Sequence, residues 1–562
     1  MPKKPSASTV PIEENIPYIS SAQVDGQGRA VYVETYGCQM NVADTEVVHA
    51  VLQGANYTQT STLAEADVVL LNTCAIRENA EQRIWNRLRE IRASKRAARA
   101  GWRKRGERAP PGPVVGLLGC MGERLKGKLL EEEQLVDVVC GPDAYRSLPR
   151  LLSQARAGQP SLDVALSLDE TYADVAPVRA ATDGISAFVS IMRGCNNLCS
   201  YCIVPFTRGR ERSRDSSSIA REVAALAADG YREVTLLGQN VNSYADAGAG
   251  ASADDVAAAR AAAAAALRPG FKTKVPPARG TYRFADLMRD LATAHPEVRF
   301  RFTSPHPKDF PDELLQIIGE LPNACASLHI PAQSGSTSVL ESMRRGYSRE
   351  TYLALIARVR ELLPAASISS DFISGFCGEN EEDHLATLSL LREVRFDKAF
   401  MFAYSLREKT HAHRALSDDV PEPTKQRRLR EVIDTFNEGA RAANAREVGR
   451  THHVLVDGVS RKSEREWVGR TECNRRVVFA RRPLPLVRGT AEAEAGAEGE
   501  AEEAELRPGD YVAVRVEEAL SANTLRAAPL ARCSIAGFTE RYAAAGHAHG
   551  ASPSGSAAAH AT

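Results

Sequence analysis

The chain has no run of about 18 or more uncharged apolar residues, so a helical membrane span is not expected. Its opening stretch, MPKKPSASTVPIEENIPYIS, lacks the apolar core that a secretory signal needs. It is neither Arg-rich nor clearly amphipathic, so no organellar transit peptide is visible. An intracellular protein, cytoplasmic or mitochondrial, is expected. Without a secretory signal, eleven cysteines argue against a disulfide framework and for metal-binding or catalytic thiols. Net charge is absent too: 71 Lys and Arg balance 71 Asp and Glu. The zero hides two biased stretches. AEAEAGAEGEAEEAE at 491–505 holds seven Glu and no base, which leaves the rest of the chain at +7. RLREIRASKRAARAGWRKRGER at 87–108 holds ten Arg or Lys against two Glu. It is either a solvated helix face or a surface for a polyanion.

At 562 residues the chain is too long for one core, and two to four domains are expected. From about residue 30, strand-like runs (AVYVETYGC, ADVVLLNTC, PVVGLLGC, LVDVVCGP) alternate with helical ones, which implies a doubly wound parallel sheet. Cys38, Cys74 and Cys120 end successive strands, at the sheet edge where ligands bind. Three thiols delivered to one edge can converge on one site. The competing reading is three buried core cysteines, and Cys140, which also ends a strand, is the obvious impostor.

From 186 to 440 six further strands alternate with helices: AFVSIM, EVTLLGQN, VRFRFTS, ASLHIP, SISSDFI and KAFMFAYS. Six units make a partial (βα)6 barrel, open on one side, with its chemistry on loops at the C-terminal strand ends. An Ala-rich stretch, 245–280, reads as an insert. Close-spaced β runs from 446 to 533 suggest a small β-barrel carrying an acidic insert at 487–506. The tail, 534–562, is compositionally disordered. The expected class is therefore α/β, with a parallel-sheet domain, a partial barrel and a small C-terminal β-barrel.

The sharpest motif is MRGCNNLCSYCIVPFTRGRERSR, residues 192–214. It spaces Cys195, Cys199 and Cys202 as C-x3-C-x2-C. A structural zinc site closes with four protein ligands, and no fourth Cys or His follows at a usual spacing. A four-iron cube held by three thiolates instead keeps one iron open, as a site that activates a substrate requires.

That spacing resembles the signature of radical S-adenosylmethionine enzymes. A second triplet ahead of it resembles the methylthiotransferase family. TYGCQMN (35–41), LLNTCAIRE (70–78) and GLLGC (116–120) are similar to its N-terminal domain, expected at 30–155. LLGQNVNSY, HIPAQSGS and SDFISGF are similar to its radical core, expected at 181–440. The C-terminal barrel, 446–533, resembles a TRAM domain, an RNA-binding module. GFCGE (375–379) and YSLREKTHAHR (404–414) favour the eukaryotic branch, whose name records association with a kinase activator. The resemblance implies two 4Fe-4S clusters. Cys195, Cys199 and Cys202 would hold the one that binds S-adenosylmethionine, and Cys38, Cys74 and Cys120 an auxiliary one. Tyr201, Gln239 and Ser334 would help hold S-adenosylmethionine. Cys140, Cys325, Cys377, Cys473 and Cys533 match no ligand position and are expected to be structural. Ala527 stands where a glycine is common.

The implied substrate is N(6)-dimethylallyladenosine beside the anticodon of tRNA, converted to its 2-methylthio derivative. The alternatives are threonylcarbamoyl-adenosine in tRNA, an aspartate of a ribosomal protein, or a role in binding a kinase regulator. GCQMN favours the dimethylallyl branch. A monomer is expected, with the anticodon stem-loop as partner, no membrane, and electron and sulfur donors unknown. The phosphates are expected to meet Arg208, Arg210, Arg212 and Arg214 behind the triplet, and Arg470, Arg475 and Arg476 on the C-terminal barrel.

Overall fold

Short β-branched runs bounded by turn residues form the first sheet. Its strands are β1 (Ala30–Thr35), β2 (Thr58–Gln59), β3 (Val68–Thr73), β4 (Val114–Gly119), β5 (Val138–Cys140) and β6 (Ser161–Asp163), all parallel, in the order β2-β1-β3-β4-β5-β6. The helices between them are α1 (Gln39–Gly54), α2 (Glu78–Lys104), α3 (Cys120–Leu125) and α4 (Leu148–Arg156). Side chains alternate across the sheet. Val68, Leu70, Val114 and Leu118 pack on α1 and α4, while Val69, Leu71, Val115 and Leu117 pack on α2. The sheet is thus covered on both faces, which is why its strands read as continuous apolar runs. Cys140 faces the α1–α4 core with no exposure, its thiol directed to the Gly141 carbonyl. The alternation turns it away from the ligand edge.

The computed structural model describes residues 24–74, 78–104, 112–126, 135–179, 184–246, 252–265, 267–273, 280–487 and 503–543. Most of the acidic segment, the tail beyond 543 and positions 105–108 of the basic run lie outside these.

The central unit alternates β7 (Ser186–Ser190), α5 (Ser216–Ala228), β8 (Glu233–Leu237), α6 (Ala253–Ala265), α7 (Phe284–Ala294), β9 (Arg299–Phe302), α8 (Asp312–Glu320), β10 (Ser327–His329), α9 (Arg349–Leu362), β11 (Ser367–Ser374), α10 (Glu381–Val394) and β12 (Lys398–Ala403). Parallel trios β7-β8-β9 and β10-β11-β12 join through a parallel bridge between Phe300 and Ala324. The result is a six-stranded partial barrel with β7 and β12 at its edges. The Ala-rich helix α6 lies between Ala245–Asp246 and Tyr282–Arg283, which pair as a small antiparallel ribbon.

Helix α11 (Glu422–Ala445) leads to β13 (Thr451–Ser460), β14 (Ser463–Thr471), β15 (Arg476–Ala480), β16 (Leu484–Val487), β17 (Glu503–Ala504), β18 (Tyr511–Ser521) and β19 (Thr524–Cys533). The sheet order β15-β14-β13-β18-β19 closes on itself through a parallel β15–β19 pairing, leaving no open edge among those five strands. Ala527 continues β19 as regular strand opposite Phe479 and Val516. The expected disordered tail starts too early. Residues 535–538 form α12 (Ile535–Phe538), Ile535 is buried, and the Phe538 ring stacks on His453 with centroids 4.7 Å apart. Glu297 accepts the backbone N–H groups of Ile535 and Ala536, so a charged cap and an aromatic stack hold this segment.

The small barrel docks on the N-terminal strand ends of the partial barrel. Arg299 donates to the Arg470 and His453 carbonyls, and Arg301 to those of Thr471 and Glu472. Glu233 is 1% exposed between Arg301 and Arg470. The cysteine loops stand at the opposite end. Two expected RNA contacts are therefore corrected. Arg470 is taken by Glu233 and Asp457, and Arg475 by Asp397 and Asn444. Arg476 is exposed.

Candidate functional site: two thiol triplets across one interface

The first triplet is assembled by backbone that needs glycine and by a buried polar latch. Cys38 caps α1 at its N-terminus. The preceding Gly37 has φ +133°, and a Cβ there would lie 2.6 Å from the Cys74 Cβ, so the two cysteine loops touch. Asn41 ties them. Its amide donates to Asn72 Oδ1 (3.2 Å) and the Thr73 carbonyl (3.1 Å), while its carbonyl oxygen accepts the Cys38 N–H (3.4 Å). Hydrogen bonding with Cys74 and the charge of Arg208 overcome burial and bring the Cys38 thiol down to about 6. Burial pushes the Cys120 thiol up, although Arg208 opposes it.

The second triplet lies on the loop after β7. Gly194 has φ +74° and packs its α-carbon against the Arg210 carbonyl, where a Cβ would come within 2.0 Å. Gln239 accepts the Gly194 N–H at 2.5 Å, so its amide supports the loop. Arg345, 5% exposed, donates to Cys199 Sγ (3.3 Å), Tyr201 Oη (3.4 Å) and Tyr347 Oη (3.0 Å). Tyr201 also meets Phe376 edge-on. Ser334 is 1% exposed, with its hydroxyl 3.3 Å from Thr387 Oγ1 and accepting the Ser336 N–H, so the fold itself occupies it. Burial raises Cys195, and Cys202 to about 12.

The two triplets face each other across an interface locked by charge. Asp44 on α1 has no exposure and pairs with Arg193 (2.9 Å) and Arg208 (2.7 Å), each 2% exposed. Burial alone would raise the Asp44 carboxyl; the two guanidinium groups outweigh it and hold it below the usual range. Arg208 Nε also donates to Cys120 Sγ at 3.2 Å, and Cys120 packs against Ile203 and Phe206, just past Cys202. Cys38 packs against Phe188 and Leu237 of the barrel wall. Three of the four arginines behind the triplet, expected to face RNA, are thus internal. Arg208 serves Asp44 and Cys120, Arg212 pairs with Asp143, and Arg214 with Glu222 and Ser218. Only Arg210 of that group is exposed. The acids that bury the other three are too distant in sequence, or too ordinary, to be read as partners. Asp44 itself carried a signal. Asn41, Asp44 and Thr45 put polar groups at helical spacing on a face that must be buried. Arg345 carried none.

The donor sets fit iron–sulfur clusters. Ligands of one tetrahedral zinc, at about 2.3 Å from the metal, would stand about 3.8 Å apart. Among the described residues, Glu381, His384 and Glu431 alone form a group whose ligand atoms all lie within 4.8 Å, so both thiol triplets are wider than a single-ion site. Arg208 Nη1, buried beside Cys120, has no hydrogen-bond partner among the described residues. Cluster sulfides would supply the missing acceptor.

A parallel-sheet domain presenting three thiols to a partial barrel with a C-x3-C-x2-C loop defines a radical S-adenosylmethionine enzyme with a second metal-binding domain. Residues 30–141 match the family described as Uncharacterized protein family UPF0004, and residues 189–391 match the Radical SAM superfamily. The Mitochondrial tRNA methylthiotransferase CDK5RAP1 of Rattus norvegicus is 50% identical over 533 residues, covering 95% of this chain and 86% of that protein. The CDK5RAP1-like protein of Oryza sativa subsp. japonica is 47% identical, covering 97% and 88%. The tRNA-2-methylthio-N(6)-dimethylallyladenosine synthase of Chloroherpeton thalassium is 46% identical, covering 89% and 96%. The chain belongs to the radical S-adenosylmethionine tRNA methylthiotransferase family. The family's cofactors are S-adenosylmethionine and 4Fe-4S clusters, two per enzyme.

Proposed function

We propose that the protein inserts a methylthio group at carbon 2 of N(6)-dimethylallyladenosine beside the anticodon of tRNA. The observation that carries this is the joining of two thiol triplets through the Asp44–Arg193–Arg208 lock. Cys195, Cys199 and Cys202 would hold the cluster that binds S-adenosylmethionine, and Cys38, Cys74 and Cys120 the cluster beside the reacting carbon. Bound together, the first cluster and S-adenosylmethionine supply radical chemistry able to break a C–H bond that acid–base catalysis cannot reach. The chain does the positioning. Arg345 sets the Cys199 thiolate and Tyr201, Gln239 holds the loop at Gly194, and Arg208 holds Cys120 against the turn after Cys202.

The target base must leave its stack to reach this interface, as single-stranded loop bases can. On the C-terminal barrel, which we assign as a TRAM domain, exposed Arg461, Lys462, Arg465 and Arg481 offer phosphate contacts in place of Arg470 and Arg475. Arg465 and Arg481 are adjacent, since the Arg481 N–H donates to the Arg465 carbonyl. We assign the protein as a monomer, and to mitochondria because its rat, mouse and human relatives are named mitochondrial tRNA methylthiotransferases. The test is anaerobic incubation of reconstituted protein, S-adenosylmethionine, reductant and sulfide with three stem-loop RNAs. They carry dimethylallyladenosine, threonylcarbamoyl-adenosine or adenosine. The methylthio product is expected on the first alone; product on the second alone refutes the assignment.

A further inference from the structure

A closed eight-stranded barrel fills its interior with layers of branched apolar side chains. The second half of this partial barrel does not. On β10, β11 and β12 the outward residues Leu328, Ile368 and Phe372 belong to the large core shared with α9 and α10. The inward residues include His329, Ser369, Asp371, Lys398 and Phe400, which parallel registers place on one face: His329 beside Ser369, Ser369 beside Lys398, and Asp371 beside Phe400; Ile373 beside Phe402 continues that face toward the C-terminal strand ends. Below the Ile373–Phe402 pair this inner wall is mostly polar and only partly covered. The side chains of His329 and Asp371 retain 18% and 30% exposure, and Phe400 is 48% exposed. A phenyl ring left half in water on an inner wall needs a reason.

The surroundings limit what can fill the space. Below, at the N-terminal strand ends, Arg299, Arg301 and Glu233 are sealed by the small barrel. Above stand the cysteine loops. On the first half of the barrel, Phe188 packs against Cys38. Among the described residues β12 pairs only with β11, so the wall that carries Phe400 borders the open side. Within the wall, His329 Nδ1 lies 3.0 Å from Ser369 Oγ and Nε2 lies 3.3 Å from Asp371 Oδ2. The His329 ring meets Phe400 edge-on at 6.0 Å. Asp371 is thus held by one oxygen, and among the described residues its Oδ1 has no donor.

The geometry points to this wall as the receiver of the splayed adenine, with Phe400 stacking on the base and Asp371 Oδ1 accepting the single N–H left on an N(6)-alkylated adenine. The inference rests on the proposed function and deepens it, because it names what reads the base. His329 is a positioning residue that orients Asp371. A flat apolar ring beside an oriented acceptor is the usual means of reading an unstacked base. An acceptor–ring pair also suits a nucleobase better than a phosphate, which the Asp371 carboxylate would repel.

The test uses the full-length reconstituted protein and the dimethylallyladenosine stem-loop. Iron content and RNA-independent cleavage of S-adenosylmethionine serve as integrity controls. F400L keeps an apolar side chain on an edge strand and removes only the ring. Its KM should rise by up to roughly 5- to 150-fold, the range for loss of one base–aromatic stack. F400W should stay close to wild type. D371A should raise KM about 10-fold or more, as expected for losing a hydrogen bond to a charged group, whereas D371N, which keeps an acceptor oxygen, should recover part of this. As a binding readout free of turnover, 2-aminopurine at the target position should be quenched by wild type and F400W but not by F400L. If wild type forms product while F400L and D371A match its KM and quenching, the wall does not read the base and the proposed function stands. Equal KM losses in F400L and F400W, with iron intact, also overturn the stacking role. If wild type forms no product on this RNA, the function and the inference fall together.

Discussion

Replacing Asp44 by Asn should uncouple the two halves of the site, and its size follows from burial. Asp44 is fully buried between Arg193 and Arg208, with the Tyr145 hydroxyl as a third donor at 3.3 Å. Asn keeps the shape and an acceptor but leaves two buried guanidinium groups without their counter-charge. Removing one member of a buried ion pair typically costs about 3–5 kcal/mol. Arg193 retains a more distant acid, Glu170 at 3.6 Å, which favours the lower end. At about 2–4 °C per kcal/mol for a unit of this size, the transition that includes the N-terminal domain should fall by roughly 6–20 °C. Because the Asp44 carboxyl is held below its usual range, its contribution is complete at neutral pH and fades only as acid protonates it. The comparison is D174N, which breaks an Arg146–Asp174 pair whose side chains are 49% and 76% exposed and which should cost well under about 1 kcal/mol. Anaerobic calorimetry of the three proteins is the assay. A D44N melting shift no larger than that of D174N would refute the view that this triad locks the interface.

Replacing Arg461, Arg465 and Arg481 together by Ala should weaken tRNA binding and reduce the slope of log affinity against log salt by roughly 1 per lost phosphate contact. An unchanged slope would move RNA binding elsewhere, first to the exposed arginines of α2. His452, between Glu447 and Glu472, should tie stability to pH. Burial opposes its charge, but the two carboxylates raise it to about 9 from 6.5. Its stabilisation is therefore full below about pH 6.5 and lost as pH rises through 9. The melting temperature should decline across that window, and H452Q should flatten the decline. Truncation at residue 446 should harm the whole enzyme, because it strips Arg470 from buried Glu233 and exposes Ile185. A truncated protein with normal iron and melting would contradict that docking.

Much of the architecture was legible because it rests on local patterns. Four strands of the first sheet contain short apolar runs, the six of the partial barrel carry apolar residues, several of them alternating with polar ones, between helical segments, and the cysteines at strand ends follow from topology. The two-residue β2 and three-residue β6 escaped because an edge strand that short has no period. Arginine roles were not legible. A basic run reads as solvated or RNA-facing until its acids are placed, and Arg212 meets Asp143 from 69 positions away. The start of the tail was misread because Ala-rich composition outweighed Ile535 and Phe538, whose i, i+3 spacing was the available sign of a packed helical turn. For the site, spacing and strand ends point to the six thiols, whereas the roles of Asp44, Arg208 and Arg345 emerge only from packing. No local rule tells which buried charge meets which.

The central claim is that two thiol triplets, assembled by different domains, hold separate clusters with separate tasks. Iron content, S-adenosylmethionine cleavage and methylthio product should be measured together in wild type and in two triple Cys→Ala variants. The variant lacking Cys195, Cys199 and Cys202 should lose about half the iron and all cleavage. The variant lacking Cys38, Cys74 and Cys120 should lose the other half and all product, yet still cleave S-adenosylmethionine. Full iron in either variant, or product from the second, would contradict the account.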